Sequence, residues 1–269
     1  SALRTGDNPQ SAIRNSANSQ FAIRNSQFTL ILLLCLAAAT ASLPGQQPAA
    51  RKVVVLDAGH GGDDNGVKGP GGTFEKDAAL LMAGTLRKIL KEDAGLDVAL
   101  TREDDRRVSL EDRSVIANRS KPALFIGLHG AYSHNPAASG FLVYYYQPTP
   151  DQAERYHILK RDVGGREVQL VPWDLAQFRW SEASKALAGV LQLKLNVFYQ
   201  QFSGAPVALP LEQLSTVNCP AVILEFAYLT NPDQIRKVQD PAWREGCARA
   251  VREAVKEFLN TGQFILGGD

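Results

Sequence analysis

The chain has few cysteines and almost no net charge. Its three cysteines, Cys35, Cys219 and Cys247, make no Cys-x-x-Cys pair. They are too few for a disulfide scaffold and form no thiolate zinc motif. A net charge of +1 leaves no basic footprint for nucleic acid. The longest apolar run, Phe28–Ala41, is short of the length that spans a bilayer, so no mature transmembrane segment is expected. Internal repetition is confined to Ala12–Ser16, which recurs as Ala22–Ser26; two such copies are too little for a solenoid.

What remains is an ordinary globular composition, 45% hydrophobic and 21% charged. Residues 1–27 read as a disordered leader. Phe28–Ala41 suits a signal-peptide core, with Ala39-Thr40-Ala41 as a small-x-small cleavage site. Residues 42–51, with Pro44 and Pro48, read as a linker. The expected location is therefore exported, periplasmic or extracellular.

From Lys52 to about residue 262 strands and helices alternate. Val53–Leu56 is a short β-branched run that reads as a buried strand, followed by Asp57, Ala58 and the turn Gly59-His60-Gly61-Gly62. A helix is expected over Glu75–Glu92, with Gly95 just past its end, and a strand over Asp97–Thr101. Ser109 reads as the cap of a helix with Glu111 and Asp112 in its first turn. Strands are expected over Ala123–Leu128, Gly140–Tyr146 and Pro220–Glu225, and helices over Ser181–Phe202, after Asn231-Pro232, and from Pro241 to near Leu259. Residues 147–180 read as an insertion holding a hairpin, with arms Tyr156–Lys160 and Glu167–Val171 around Gly164-Gly165. The pattern predicts an α/β fold: one catalytic domain with a mostly parallel twisted sheet covered by helices on both faces.

Three expected strands end next to His60, His129 and Glu225, and parallel strands share their carboxyl edge. Glu75, opening the first helix, faces the same edge. Two imidazoles and a carboxylate form a zinc set with one position left for water. A carboxylate outside that set can take the water's proton and return it to a leaving nitrogen, and Glu225 is placed for this.

These segments carry a resemblance. VVVLDAGHGG at Val53–Gly62, FEKD at Phe74–Asp77, LFIGLH at Leu124–His129 and PAVILEFAYL at Pro220–Leu229 occur in order. Together with Thr101-Arg102, Asp105 and LEDRSVIAN at Leu110–Asn118, they resemble the amidase_3 type of zinc-dependent N-acetylmuramoyl-L-alanine amidase. The resemblance implies one Zn2+ per chain held by His60, Glu75 and His129, with Glu225 as the catalytic carboxylate. It implies peptidoglycan as substrate, cut at the amide between the lactyl group of N-acetylmuramic acid and L-alanine, and it leaves a protein activator open. Two departures stand out: His129-Gly130-Ala131 replaces a His-Ala-Asn run, and Phe226-Ala227-Tyr228 replaces a continuation toward Gly-Phe. Self-inhibited relatives carry a blocking helix between the second and third ligands; none is expected here. Within enzymes the rival is a zinc peptidase of related architecture. Outside enzymes it is a catalytically silent wall-binding homologue.

Other polar and aromatic residues are read more plainly. Asp57 is a candidate for orienting a metal ligand. Arg102 and Arg113 are expected in scaffold salt bridges, His134 in a solvated turn, and His157 within the insertion. One face of Tyr144–Tyr146 could line a groove. Trp173, Trp180 and Trp243 are expected to pack, and the pairing of Cys219 with Cys247 is left open. The glycines around His60 are expected to keep the edge low, so that their replacement harms wall cleavage more than metal binding.

Overall fold

The computed structural model describes residues 51–262, apart from 159 and 170, with side chains described outside 156–163 and 166–170. The expected leader, signal core and all but the last residue of the linker fall outside these residues. No helix among the described residues is long and apolar enough to cross a membrane.

In chain order the elements are β1 (Lys52–Ala58), α1 (Glu75–Leu90), β2 (Leu96–Leu100), α2 (Leu110–Arg119), β3 (Leu124–Ala131), β4 (Leu142–Tyr146), α3 (Pro150–Ile158), β5 (Lys160–Val163), β6 (Arg166–Gln169), α4 (Ser181–Tyr199), β7 (Val207–Leu209), α5 (Glu212–Ser215), β8 (Ala221–Tyr228), α6 (Pro232–Gln239) and α7 (Pro241–Thr261). Short 3-10 turns lie at Pro70–Gly72 and Trp173–Trp180.

The main sheet has the order β2-β1-β3-β8-β4-β7. Strands β2, β1, β3 and β8 run parallel, β4 runs antiparallel to β8, and β7 follows β4. The reversal at β4 has a simple cause. The connection from β3, Tyr132–Phe141, contains no helix, and a parallel crossover needs a dozen or more residues.

Alternation along the strands feeds two cores. Val54, Leu56, Leu124, Ile126, Val222 and Leu224 face one side with residues of α1, α4 and α7. Val55, Phe125, Ala221 and Ile223 face the other with Ala117 of α2 and Leu214 of α5. The sheet is thus covered on both faces, as the alternating pattern predicts. Cys219 belongs to the second core and Cys247 to the first. Both thiols are free and buried on opposite sides of the sheet. Burial pushes both thiols up, that of Cys247 to about 12.

Helix starts follow their caps. Ser109 accepts from Asp112 N, Asn231 from Asp233 N, and Asp240 from Ala242 N with Pro241 at the first helical position.

Some expectations shift. Strand β8 continues to Tyr228, so Glu225 lies within it rather than at its end, in register with His129. Strand β3 likewise runs past His129 to Ala131, and its register with β8 breaks between those two residues. In the insertion, Tyr156 and His157 belong to α3, which Pro150 and Asp151 open, and the hairpin starts at Lys160. Gly164 (φ 66°) and Gly165 (φ 80°) form its two-residue loop, which requires positive φ at both positions. Strand β7 and helix α5 were not expected; three and four residues are too short to show periodicity.

Candidate metal centre

Strand β1 delivers the chain to the sheet's carboxyl edge, where His60 adopts φ 59°. A non-glycine residue rarely takes this conformation, and it persists only where the surroundings enforce it. Two buried guanidinium groups supply the enforcement. Arg102 donates through Nε to Ala58 O (2.9 Å) and through Nη2 to Gly59 O (2.8 Å). Arg113 donates through Nη1 to Ala58 O and through Nη2 to His60 O, both at 2.7 Å. Three consecutive carbonyls are therefore held by charge-assisted bonds.

Asp57 anchors this arrangement from below. It is fully buried and accepts from Arg113 Nη1 (2.6 Å) and from the Thr101 hydroxyl. It touches neither imidazole, so it acts on His60 only through Arg113. Arg113 forms the expected scaffold ion pair; the described bonds of Arg102 go to backbone carbonyls instead.

Glu75 opens α1, which packs on the face of the sheet opposite α2, and its carboxylate lies at the edge with 3% exposure. Its Oε1 lies 3.1 Å from His60 Nε2 and accepts from His129 Nδ1 at 2.9 Å and from Gly130 N at 3.0 Å. Its Oε2 accepts from Val67 N at 2.9 Å. Burial pushes this carboxyl up, but the bonds from His129 and His60 outweigh it and hold the group well below the usual carboxylate range. It is therefore ionised and accepts only.

The far side of each imidazole is also occupied. His60 Nδ1 lies 2.9 Å from both carboxylate oxygens of Asp64. His129 Nε2 lies 2.6 Å from the Gln213 amide nitrogen. Burial lowers the affinity of His60 for its proton, yet Glu75 and Asp64 together raise it above the ordinary histidine value. Asp64 is pushed up by burial and pulled down further by His60, for a net lowering.

His60, Glu75 and His129 each offer a ligand atom, and all three atoms lie within 4.8 Å of one another. The surroundings fit an ion. A Cβ at Gly59 would come within 2.3 Å of His129 Cε1, and one at Gly66 within 2.6 Å of both Glu75 Oε2 and His60 Cδ2. The two glycines thus form the cradle in which the three side chains converge. This revises the expected glycine role. Gly59 clears space for a ligand ring, while Gly61 and Gly62 pack against the backbone of Arg106 and Arg107. Replacement of Gly59 or Gly66 should therefore disturb His60, Glu75 and His129 directly, whereas replacement of Gly61 or Gly62 meets Arg106 and Arg107 first.

Glu225 lies beside this cluster on the adjacent strand and is not one of its three members. Tyr144, diagonal to it across the β4–β8 pair, donates its hydroxyl to Glu225 Oε2 at 3.1 Å. Burial raises the Glu225 carboxyl above its ordinary value; Tyr144 and His129 pull it down and Glu75 pushes it up. Burial likewise pushes the Tyr144 hydroxyl up, and the Glu225 charge adds to it. The two carboxyls of the site are thus shifted in opposite directions, Glu225 up and Glu75 down.

His60, Asp64, His129 and Gln213 line a cleft of about 260 Å³ together with Arg107 and Ser109. Between Glu75 and His129 the chain holds only α1, β2, α2 and the start of β3, with no further helix. His60 keeps 23% side-chain exposure.

The remaining candidates lie elsewhere. His134 is exposed and meets the Tyr132 hydroxyl at 2.9 Å. The His157 side chain lies outside the described residues. Trp180 and Trp243 pack against the core, whereas Trp173 is 68% exposed, contrary to expectation. It opens a short 3-10 stretch whose buried residues are Leu175 and Gln177.

The sequence pattern does not mark Asp64, Gly66, Gln213 or the pairing of Tyr144 with Glu225. The four-residue spacing of His60 and Asp64 in a Gly- and Asp-rich loop is a usable signal. Gln213 has none, since its helix has four residues and its partner is 84 positions away.

Comparison with known proteins agrees with this geometry. The Amidase_3 family, described as N-acetylmuramoyl-L-alanine amidase, matches residues 54–257. AmiA, an N-acetylmuramoyl-L-alanine amidase of Escherichia coli K12, is 29% identical over 78% of this chain and 77% of its own length. AmiC of Neisseria meningitidis is 26% identical over 86% of this chain, which spans 59% of that protein. The solved catalytic domain of CwlV, an N-acetylmuramoyl-L-alanine amidase from Bacillus (Paenibacillus) polymyxa, superposes with a TM-score of 0.62 at 27% identity, covering 78% of this chain and 98% of that domain. With the motifs in order, the sheet edge built as described and most of its length matched, the chain belongs to the Amidase_3 family of N-acetylmuramoyl-L-alanine amidases.

Proposed function

We propose that the chain hydrolyses the amide between the lactyl group of N-acetylmuramic acid and L-alanine in peptidoglycan, using one Zn2+ held by His60, Glu75 and His129, with Glu225 as general acid and base. The convergence of His60 Nε2, Glu75 Oε1 and His129 Nδ1 beside Glu225 carries this reading. Zinc held there would supply Lewis acidity and, at neutral pH, a nucleophile derived from water.

The chain's own residues do the rest. Glu75 stays ionised and offers Oε1. Asp64 accepts from His60 Nδ1 and leaves Nε2 turned inward, the carboxylate–histidine arrangement common around metal ligands. Glu225 accepts the proton of the attacking water and delivers it to the departing amine nitrogen, while Tyr144 orients its carboxylate. His129 and Glu225 lie on strands β3 and β8, Glu75 opens α1, and His60 sits on the turn after β1 that Arg102 and Arg113 hold.

This reading also puts the mature chain outside the cytoplasmic membrane, where its substrate lies. The test combines metal analysis of the purified mature chain with digestion of purified sacculi. The expected result is one zinc per chain and release of L-alanine amino termini without new reducing sugars. Digestion of free peptides in place of sacculi would support the peptidase reading, and zinc without any cleavage would support a silent wall-binding module.

A further inference from the structure

We infer that Gln213 is a positioning residue for His129 and that the end of the 147–180 insertion holds it in place. The inference rests on the reading of His129 as a metal ligand.

The His129 imidazole meets a different partner at each nitrogen. Glu75 Oε1, which also accepts from Gly130 N, lies 2.9 Å from His129 Nδ1, so in the metal-free chain Nδ1 carries the ring hydrogen. Nε2 is then an acceptor, and the Gln213 amide nitrogen faces it at 2.6 Å. When Nδ1 gives its electron pair to a metal, the hydrogen of a neutral ring must reside on Nε2, which becomes a donor. A primary amide suits both states, because rotating it end for end replaces its NH2 group with its carbonyl oxygen. A carboxylate at this position would suit only the loaded state, and an ammonium only the empty one.

The amide is placed by neighbours that do not touch the metal centre. Helix α5 is short, but Leu214 beside Gln213 is fully buried, as is Val217. Gln177, in the 3-10 stretch that closes the insertion, is fully buried and donates its amide hydrogens to Val217 O (2.7 Å) and Cys219 O (2.8 Å). Ser184 donates to Gln177 Oε1 and accepts from Ala221 N at 2.9 Å, which ties the same segment to the start of β8. The last turn of the insertion thus clamps the chain between α5 and β8, and this sets the reach of Gln213 toward His129.

The test is zinc affinity of the metal-stripped full chain, measured by competition with a chromophoric chelator, for wild type and three substitutions. Gln213→Met keeps the volume and removes both hydrogen-bonding ends; affinity should fall roughly 10-fold or more, the scale seen for partners of metal-ligating histidines. Gln213→Glu should bind at least as tightly as wild type, since a carboxylate accepts from Nε2–H. Gln213→Lys should bind most weakly. A purely structural role for α5 would not produce this order. Equal affinity of folded Gln213→Met and wild type would overturn the inference, and so would Gln213→Glu binding more weakly than Gln213→Met. If Gln213→Met does not fold, Gln213→Asn reads the same contact by withdrawing the amide one methylene; its affinity should fall below wild type, and equality would again overturn the inference. Failure of wild type itself to bind zinc would instead remove the metal reading on which this one depends.

Discussion

The two histidines of the candidate metal centre are held in different ways. His60 sits on a loop with positive φ and depends on charge: two buried arginines grip three carbonyls, Asp57 pairs with one arginine, and Asp64 fixes the ring. His129 sits within a strand and depends on neighbours: a glycine under its ring, a paired strand beside it and one amide beyond it. A strand already fixes backbone direction, so its histidine needs only a rotamer. A loop histidine needs its backbone held as well, and here a buried ionic network holds it. The expected consequence is that the His60 side is the more fragile to single polar substitutions.

The largest effect tests whether the two sides are equal in the end. His60→Ala and His129→Ala should each lose zinc and amidase activity together. Stoichiometric zinc in either purified variant, by metal analysis, would show that its histidine is not a ligand.

Glu225→Gln comes next and separates holding from reacting. It should keep the fold and much of the metal, while turnover on sacculi falls roughly 10²-fold or more, the general acid–base scale. Near wild-type turnover would remove Glu225 from the mechanism.

Arg113→Ala probes the charge network directly. It leaves Asp57 buried without its cation, which should cost about 3 kcal/mol or more in denaturant unfolding. Tyr144→Phe, on the strand side, removes one half-buried bond and should cost about 1 kcal/mol. Equal losses would erase the distinction between the two sides.

The smallest effect is in pH. Glu75 is held below its ordinary 4.5, so its contribution to stability is complete above that value and is lost as pH falls further. His60 is raised above 6.5, so its contribution is complete below 6.5 and is lost as pH rises through its folded value. Thermal unfolding of the metal-free chain should therefore show these two groups contributing most between about 4.5 and 6.5. Glu75→Gln should flatten the acid limb, and an unchanged limb would detach Glu75 from the cluster.

The sequence is readable wherever a residue's role is repeated along the chain. The unbroken apolar runs Val53–Leu56, Leu124–Leu128 and Ala221–Leu224 mark strands buried on both faces, and the spacing within Glu75–Leu90 marks a helix, because burial acts on every turn or pleat. His60, Glu75, His129 and Glu225 are legible for the same reason: each follows, interrupts or opens a readable element. Strand β7 and helix α5 are not, since three and four residues are too few to repeat the pattern, and Gln213 is lost with them.

Sequence alone thus determined the α/β class, the shared sheet edge and the four polar side chains gathered there, since local patterns and order suffice for these. Only the tertiary structure decided who holds them. Contacts such as Asp57–Arg113, Arg102–Gly59 and Gln213–His129 join residues tens of positions apart through the ends of flexible side chains. No local periodicity encodes such a meeting; it exists only once the sheet, its helices and the insertion have packed around the same edge.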